Sequence, residues 1–151
     1  MSEIIDEAFG KMEYDSSWVR IEKYTILGRQ LDVRIVAQAY EGQEILEIQR
    51  KAFLEFQNRF SQLEQDIPDK LLEYYLNNYE SISEMIEIPE KIDKDHINRD
   101  LIIKLIKVRT IYFTRKGQYG YLCDCAWEQE HGIAIIFTNN EISIDEQDVL
   151  I

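Results

Sequence analysis

The chain has 151 residues, 45% of them hydrophobic and 11% aromatic, and its 29 acidic and 17 basic residues give a formal net charge of −12. This length suits one domain with a buried core, and the hydrophobic content excludes a disordered chain. The acidic surface would repel phosphate backbones, which excludes nucleic-acid binding through a basic face, and no run approaches the ~20 apolar residues of a membrane span.

The negative charge is concentrated in two stretches. Residues 41–90 hold twelve acids and four bases, and the tail from Glu141 adds four acids and no base. Two interpretations remain open, which are plain solubility and attraction of a basic protein partner. The first residues lack the basic and apolar regions of a signal peptide, and the two cysteines are expected to be reduced thiols. We therefore expect a cytoplasmic protein.

The N-terminal part predicts antiparallel strands. Residues 17–28 and 29–40 are rich in β-branched and aromatic residues, with side chains of alternating character. In the second stretch one face collects Leu31, Val33, Ile35 and Ala37. The intervening Leu27-Gly28-Arg29 predicts a hairpin turn. The alternation indicates a sheet with one face on the core.

The middle of the chain predicts helices. From about Gln43 to Leu63 an apolar residue recurs at every third or fourth position: Ile45, Ile48, Ala52, Phe53, Phe56, Phe60 and Leu63. The pairs Glu47–Lys51 and Glu55–Arg59 have the spacing of helical ion pairs. A second helix is predicted to begin at Ile67 and Pro68, because proline suits a first helical turn. Residues 81–95 then predict a connector.

The last third of the chain predicts a short helix and four strands. Asn98 or Asp100 can cap a helix that contains Leu101, Ile102, Leu105 and Ile106. The predicted strands are Arg109–Arg115, Tyr119–Trp127, Ile133–Thr138 and Glu141–Ile144, with turns at Lys116-Gly117 and Asn139-Asn140. The predicted fold is therefore a single α+β domain over residues 1–151, with N-terminal antiparallel strands, two or three central helices and a C-terminal antiparallel β-meander.

The segment Cys123–Phe137 contains the most varied chemistry in the chain. In the predicted strand, the period of two places Cys123 and Cys125 on the face of Tyr119, Tyr121 and Trp127, with Asp124 on the other face. The next five residues are Glu128, Gln129, Glu130, His131 and Gly132, and the glycine is suited to a positive φ. A metal site, a catalytic site and a structural hairpin are the three interpretations.

A metal site would use Cys123, Cys125 and His131, with Glu130 as a fourth ligand. Structural zinc sites usually separate paired cysteines by two to four residues, whereas one residue separates this pair. A second ligand pair is missing, and His96 lies in a distant polar connector. The sequence therefore predicts no metal and no cofactor.

A catalytic site would use Glu128 and Glu130 as a carboxylate pair with His131 as the base, or Cys125 as a nucleophile beside His131. No nucleophile elbow or phosphate-binding loop accompanies them. A cysteine in mid-strand is poorly placed to meet a substrate and behaves as a small hydrophobe. The favoured interpretation is a hairpin whose polar residues serve the turn, with no catalytic residue assigned.

Part of the predicted hairpin resembles a motif of known domains. Trp127–Ile133 resembles a motif of uncharacterised bacterial domains, in which tryptophan, an acid, any residue and Glu-His-Gly precede an aliphatic strand, often after Asp-Cys. The matching residues are Asp124, Cys125, Trp127, Glu128, Glu130, His131 and Gly132. Such domains usually end in Val-Gly-x-Gln-Asp. Here Gln147-Asp148 is kept, but Asp145 replaces the glycine and puts the geometry of that turn in question.

The resemblance implies no established activity. Some small acidic bacterial domains of this general kind resemble immunity proteins, which neutralise a secreted toxin by binding it, and a charge of −12 would steer a basic toxin. The sequence thus predicts a non-enzymatic protein-binding domain of immunity type with a basic protein partner and neither nucleic acid nor membrane. The alternative is a hydrolase or metal-dependent enzyme centred on residues 127–132.

Overall fold

A computed structural model describes residues 2–85, 93–139 and 141–151 and contains one sheet of eight strands arranged in chain order. The strands are β1 (Glu3–Asp6), β2 (Gly10–Tyr14), β3 (Trp18–Ile26), β4 (Arg29–Ala37), β5 (Ile106–Phe113), β6 (Tyr119–Cys125), β7 (Ile133–Thr138) and β8 (Glu141–Asp145). The described neighbours pair antiparallel except β4 and β5, which are parallel. A parallel pair requires a long crossover, which here contains the helices.

The helices are α1 (Glu47–Asn77), α2 (Tyr79–Met85) and α3 (Arg99–Ile102), and Ile103–Leu105 and Gln147–Val149 form single 3₁₀ turns. Helix α1 covers one face of the sheet. Its Phe56 is fully buried and its ring lies within 6.5 Å, centroid to centroid, of the rings of Tyr24, Phe60, Phe113, Tyr119, Tyr121 and Phe137. The core therefore lies between α1 and the sheet, and the predicted α+β class is confirmed.

The predicted break at Pro68 was wrong, because α1 continues through it. Proline removes a backbone donor inside a helix and costs about 3 kcal/mol. The apolar stripe continues on both sides of it, however, with Leu63, Ile67, Leu71 and Tyr75 at intervals of four and all fully buried. Burial of one continuous stripe offsets the local cost, so two predicted helices form one helix of 31 residues.

The start of α1 also differs from the prediction. The helix begins at Glu47, where the amide of Leu46 donates to Oε1 of the buried Gln49 over 2.9 Å. Glu47 pairs with Arg50 at 3.3 Å, while the predicted pair of Glu55 and Arg59 is confirmed at 3.4 Å. The N-terminal part of the apolar stripe therefore lies in the loop that enters the helix.

The remaining predictions hold with shifted ends. Leu27 and Gly28 form the predicted β3–β4 turn, Asn98 caps α3 through the amide of Leu101, and β5 to β8 form the meander. Strand β5 begins at Ile106, in the predicted helix, and β6 ends before Trp127. The start of the predicted connector is helical as far as residue 85, while 86–92 and 140 lie outside the described residues.

Among the described residues, no helix is both long enough and apolar enough to cross a membrane.

Candidate functional site

The connection between β6 and β7 is a compact turn. The amide of Ala126 donates to the carbonyl of Leu105 over 2.9 Å, which fixes the end of β6 to the chain preceding β5. The amide of Glu128 donates to Cys125, and that of Gly132 donates to Glu128 over 2.8 Å. These hydrogen bonds constrain the backbone of the motif residues independently of side-chain contacts.

Gly132 is the tightest position in this turn. Its φ is +63°, as predicted, and the residue is buried. A Cβ at this position would lie 2.2 Å from the carbonyl oxygen of Cys123 and 2.5 Å from Nε2 of Gln147. Glycine is therefore required for space as well as for conformation.

Gln147 explains why the motif has a second part near the C-terminus. Its side-chain amide donates to the carbonyl of Cys123 over 3.2 Å, beside Gly132, and so ties the last 3₁₀ turn to β6. Asp145, which stands where similar domains have glycine, is the last residue of β8 and accepts a hydrogen bond from the amide of Glu146. Its φ is not positive, so this turn does not use the conformation that favours glycine.

Trp127 anchors the hairpin to α1. The residue is 3% exposed, and its ring stacks on Tyr74 with a centroid distance of 6.2 Å and meets Tyr75 edge-on at 5.6 Å. Its indole nitrogen is buried and has no hydrogen-bond partner among the described residues. The tryptophan of the motif is thus a packing residue that joins β6 to the C-terminal half of the helix.

The two thiols belong to the core. Cys123 and Cys125 are buried on the helix-facing side of β6. Burial raises the pKa of Cys123 well above its ordinary value and that of Cys125 to about 12, although backbone N–H groups of Trp127 and Glu128 oppose the shift at Cys125. Both thiols are therefore protonated near neutral pH, whereas thiolate is the form that attacks or binds a metal.

The other candidate residues face outward in different directions. His131 is 73% exposed, and its Nδ1 lies 3.5 Å from Oε1 of Glu128. Glu130 is exposed, and Asp124 lies on the opposite face of the sheet in an ion pair with Arg109. The structure does not bring His131 together with the thiols, and the described ranges contain no group of three residues able to hold a metal.

Three motif residues line a cavity of about 250 Å³ between the hairpin, α1 and α2. Its lining consists of Tyr74, Asn78, Ser81, Ile82, Trp127, Glu128, Gly132, Ile133, Asp145 and Glu146. Three carboxylates thus surround one space beside an aromatic wall. Burial raises the pKa of the Tyr74 phenol, and so do the neighbouring Cys125, Asp145 and Glu146, in that order. This combination of carboxylates and a π face suits a cation.

The comparisons with known proteins give a family and no activity. A family model described as a domain of unknown function, DUF6985, matches residues 8–151. The chain belongs to this family. The match includes every residue that lines the cavity, and the predicted membership in an uncharacterised domain family is confirmed. No curated protein and no solved structure matches the chain.

Sequence reasoning missed half of the cavity in this DUF6985 chain. Tyr74 and Asn78 were not predicted to belong to a site, and Asp145 was noted only as the residue that replaces a glycine. The available signal was the retained Gln147, whose separation from the hairpin motif indicates that the two segments meet. The helix side of the cavity has no such signal, because it is brought there by tertiary packing, including that of Trp127 against α1.

Proposed function

We propose that the chain is a non-enzymatic protein-binding domain whose cavity between α1, α2 and the β6–β7 hairpin receives a lysine or arginine side chain of a basic partner. The observation that carries the proposal is the convergence of Glu128, Asp145 and Glu146 on one cavity with the ring of Tyr74. Each of these carboxylates comes from a turn or a strand end, so the backbone places three negative charges around one space.

Charge and volume support a side chain as the occupant. A unit charge 4 Å from one carboxylate gains about 4 kcal/mol at an effective dielectric constant of 20, before the cost of removing water. A tyrosine face adds about 0.5–1 kcal/mol at a partly exposed site. A cavity of about 250 Å³ accommodates one extended basic side chain but not a folded element.

The rest of the surface supports a protein partner that approaches through long-range attraction. Exposed acids continue away from the cavity at Glu73, Glu80 and Glu84, and the net charge is −12. Such a field accelerates the association of a basic protein, and the rate falls as salt screens it. An immunity-type role in the cytoplasm, in which the chain blocks a basic toxin, is the specific form of this proposal.

The cavity is tested by an array of short peptides that differ at one position. Peptides with lysine or arginine should bind at least tenfold more tightly than those with norleucine or citrulline, which keep the shape and lose the charge. The double variant Asp145→Asn/Glu146→Gln should remove this preference. The matched control Glu141→Gln/Asp148→Asn removes the same charge from exposed residues that do not line the cavity and should keep it. Equal binding of norleucine and lysine peptides would contradict the proposal.

A hydrolase or metal-dependent enzyme centred on residues 127–132 is the alternative. It would rest on Glu128 and His131, whose side chains lie 3.5 Å apart. The neighbouring thiols are protonated and buried, and no described hydroxyl bonds to either side chain. Stoichiometric metal in the purified protein, or an activity that His131→Ala abolishes without changing the melting temperature, would favour this alternative.

A further inference from the structure

Strand β3 has one fully paired edge and one edge that is largely open. Its hairpin with β4 turns through Leu27 and Gly28, whose φ values of 51° and 79° are those of a type I′ turn. In such a hairpin the closing pair, Ile26 and Arg29, exchanges both backbone hydrogen bonds. Alternate residues counted back from Ile26 therefore bond to β4, and Ile21, Lys23 and Thr25 direct their N–H and C=O groups to the other edge.

Strand β2 covers only the beginning of that other edge. The register contains two pairs, Glu13 with Val19 and Tyr14 with Trp18, and then ends. Beyond Val19 the β1–β2 hairpin bends towards α1, where Phe9 stacks on Phe53 with a centroid distance of 4.5 Å. Within the parts of the chain that the structure describes, no backbone hydrogen bond reaches the outward groups of Ile21, Lys23 or Thr25.

The divergence of the two strands opens a groove of about 540 Å³. It is lined by Lys11, Glu13, Asp15, Val19, Arg20, Ile21 and Arg34. Ile21 is 69% exposed at its floor, and the side chains of Lys23 and Thr25 continue the exposed row along β3. The groove thus combines a row of unpaired backbone groups with an apolar floor, and only another extended chain presents donors and acceptors at the matching spacing.

The charges on this edge indicate which extended chain fits. An antiparallel second copy centred on Lys23 would place two lysines opposite each other, which is destabilising. On β4, Arg34 lies across from Ile21 and Asp32 across from Lys23, but no ion pair joins Lys23 to Asp32 among the described contacts. The two acids of the groove, Glu13 and Asp15, lie where β2 and β3 are still paired, near the pair of Glu13 with Val19.

We propose that the groove between β2 and β3 binds an extended segment of another protein, which adds to the open edge of β3 as a strand and places a carboxylate side chain opposite Lys23. An apolar residue two positions away would then contact Ile21. This site uses backbone pairing on a different part of the sheet from the acidic cavity. The proposal can therefore be tested independently of the cavity's proposed role.

The first measurement examines the edge in the free protein. Amide hydrogen exchange followed by NMR should show fast exchange at Ile21, Lys23 and Thr25 and slow exchange at Glu22 and Tyr24, which bond to β4. The probe is then a capped peptide of sequence Thr-Val-Thr-Glu-Thr-Val-Thr, titrated to millimolar concentration. Binding should shift the three outward amides and slow their exchange.

Two control peptides separate strand addition from charge attraction. Methylation of the backbone nitrogen of the central glutamate keeps the charge and removes one ladder hydrogen bond, and it should weaken binding at least tenfold. Replacement of that glutamate by lysine should weaken binding at least threefold. The variant Lys23→Glu should reverse the preference between the glutamate and lysine peptides, whereas Lys107→Glu, which changes an exposed lysine of β5, should keep it.

Three outcomes would overturn the proposal. The first is an absence of any shift at the outward amides in the presence of the glutamate peptide. The second is equal binding of the methylated and unmethylated peptides. The third is a concentration-dependent protection of these amides without peptide, which would assign the edge to a second copy of the chain.

Discussion

The β6–β7 turn and the β2–β3 pair lie towards opposite ends of the sheet and differ in how completely they are packed and hydrogen-bonded. At the β6–β7 turn, which we call the closed end, Gly132, Trp127 and Gln147 fix the chain to β6, α1 and the last 3₁₀ turn. At the β2–β3 pair, which we call the open end, the ladder stops after two pairs and leaves backbone groups of β3 without a partner among the described residues. The closed end therefore presents side-chain charges around a cavity, and the open end presents backbone groups beside a groove.

The difference shows that an acidic composition does not describe the whole surface. The cavity at the closed end gathers three carboxylates and no basic residue among its lining. The groove at the open end contains Lys11, Arg20 and Arg34 together with two acids. A net charge of −12 is thus compatible with two surfaces that suit different ligands, and the predictions below change one end while leaving the other intact.

Gly132→Ala is expected to have the largest effect. Positive φ costs a side chain about 1–2 kcal/mol, and the added Cβ would meet backbone of β6, which costs about 1–3 kcal/mol more. Gly10→Ala is the matched control, since Gly10 has a φ of +79° and no atom within 4 Å of the added Cβ. Urea unfolding should show a loss of about 2–5 kcal/mol for Gly132→Ala and about 1–2 kcal/mol for the control. Equal losses would mean that the closed end is not tightly packed.

Proline substitutions compare the paired edge of β3 with its open edge. Glu22→Pro removes a donor to β4 and should cost about 3 kcal/mol, as proline does where its amide is needed. Lys23→Pro removes a donor that points to the open edge, where proline is tolerated, and should cost about 1 kcal/mol or less. Thermal unfolding of the two variants measures the difference. A larger loss for Lys23→Pro would show that the edge is paired.

Much of the sheet could be predicted from the sequence because period two is a local signal. The β3–β4 hairpin and the meander follow from alternation and from turn residues such as Gly28. Strand β1 has four residues and β2 has five, and both contain charged residues, so their alternation is weak, and they were not separately assigned. The continuity of α1 through Pro68 depends on burial of the apolar stripe of the helix. The helix propensities of the individual residues do not predict this burial.

The candidate site was less predictable for a related reason. The hairpin motif and the positive φ of Gly132 can be inferred from adjacent residues. The cavity needs Tyr74 and Asn78 from the end of α1, more than 40 residues before the hairpin, and Asp145 and Glu146 after it. The packing of Trp127 on the helix and the hydrogen bond of Gln147 to the carbonyl of Cys123 bring these segments together.

Asp6 provides a test of what holds the N-terminal hairpin away from β3. Its buried carboxylate accepts hydrogen bonds from the amides of Ala8 and Phe9 and from Arg50 over 2.8–3.0 Å. Asp6→Asn should cost about 1–3 kcal/mol, because one of these bonds is lost or weakened in a buried site. The exposed Asp32→Asn should leave the melting temperature unchanged.

The same group predicts a pH dependence. Burial alone would raise the pKa of Asp6, but the amides of Phe9 and Ala8 and the Arg50 guanidinium outweigh it and lower the pKa. A pKa that is lower in the folded state stabilises the protein above the unfolded value near ~4, and this contribution is lost as the pH falls through the folded value. Below about pH 4 the wild type should therefore lose stability more steeply than Asp6→Asn. If the wild type and Asp6→Asn lose stability equally steeply as the pH falls, the pH dependence arises from other carboxylates.

The smallest expected effect concerns the electrostatics of the closed end. Asp145 and Glu146 help to raise the pKa of the Tyr74 phenol, behind burial and Cys125. The double variant Asp145→Asn/Glu146→Gln should therefore lower that pKa, as a titration of the Tyr74 ring signal by NMR would show. Glu141→Gln/Asp148→Asn removes an equal charge from residues outside the cavity and should shift the pKa less. Equal shifts would mean that the carboxylates act through the general field of the protein, so that the cavity offers a cation no local advantage over the rest of the acidic surface.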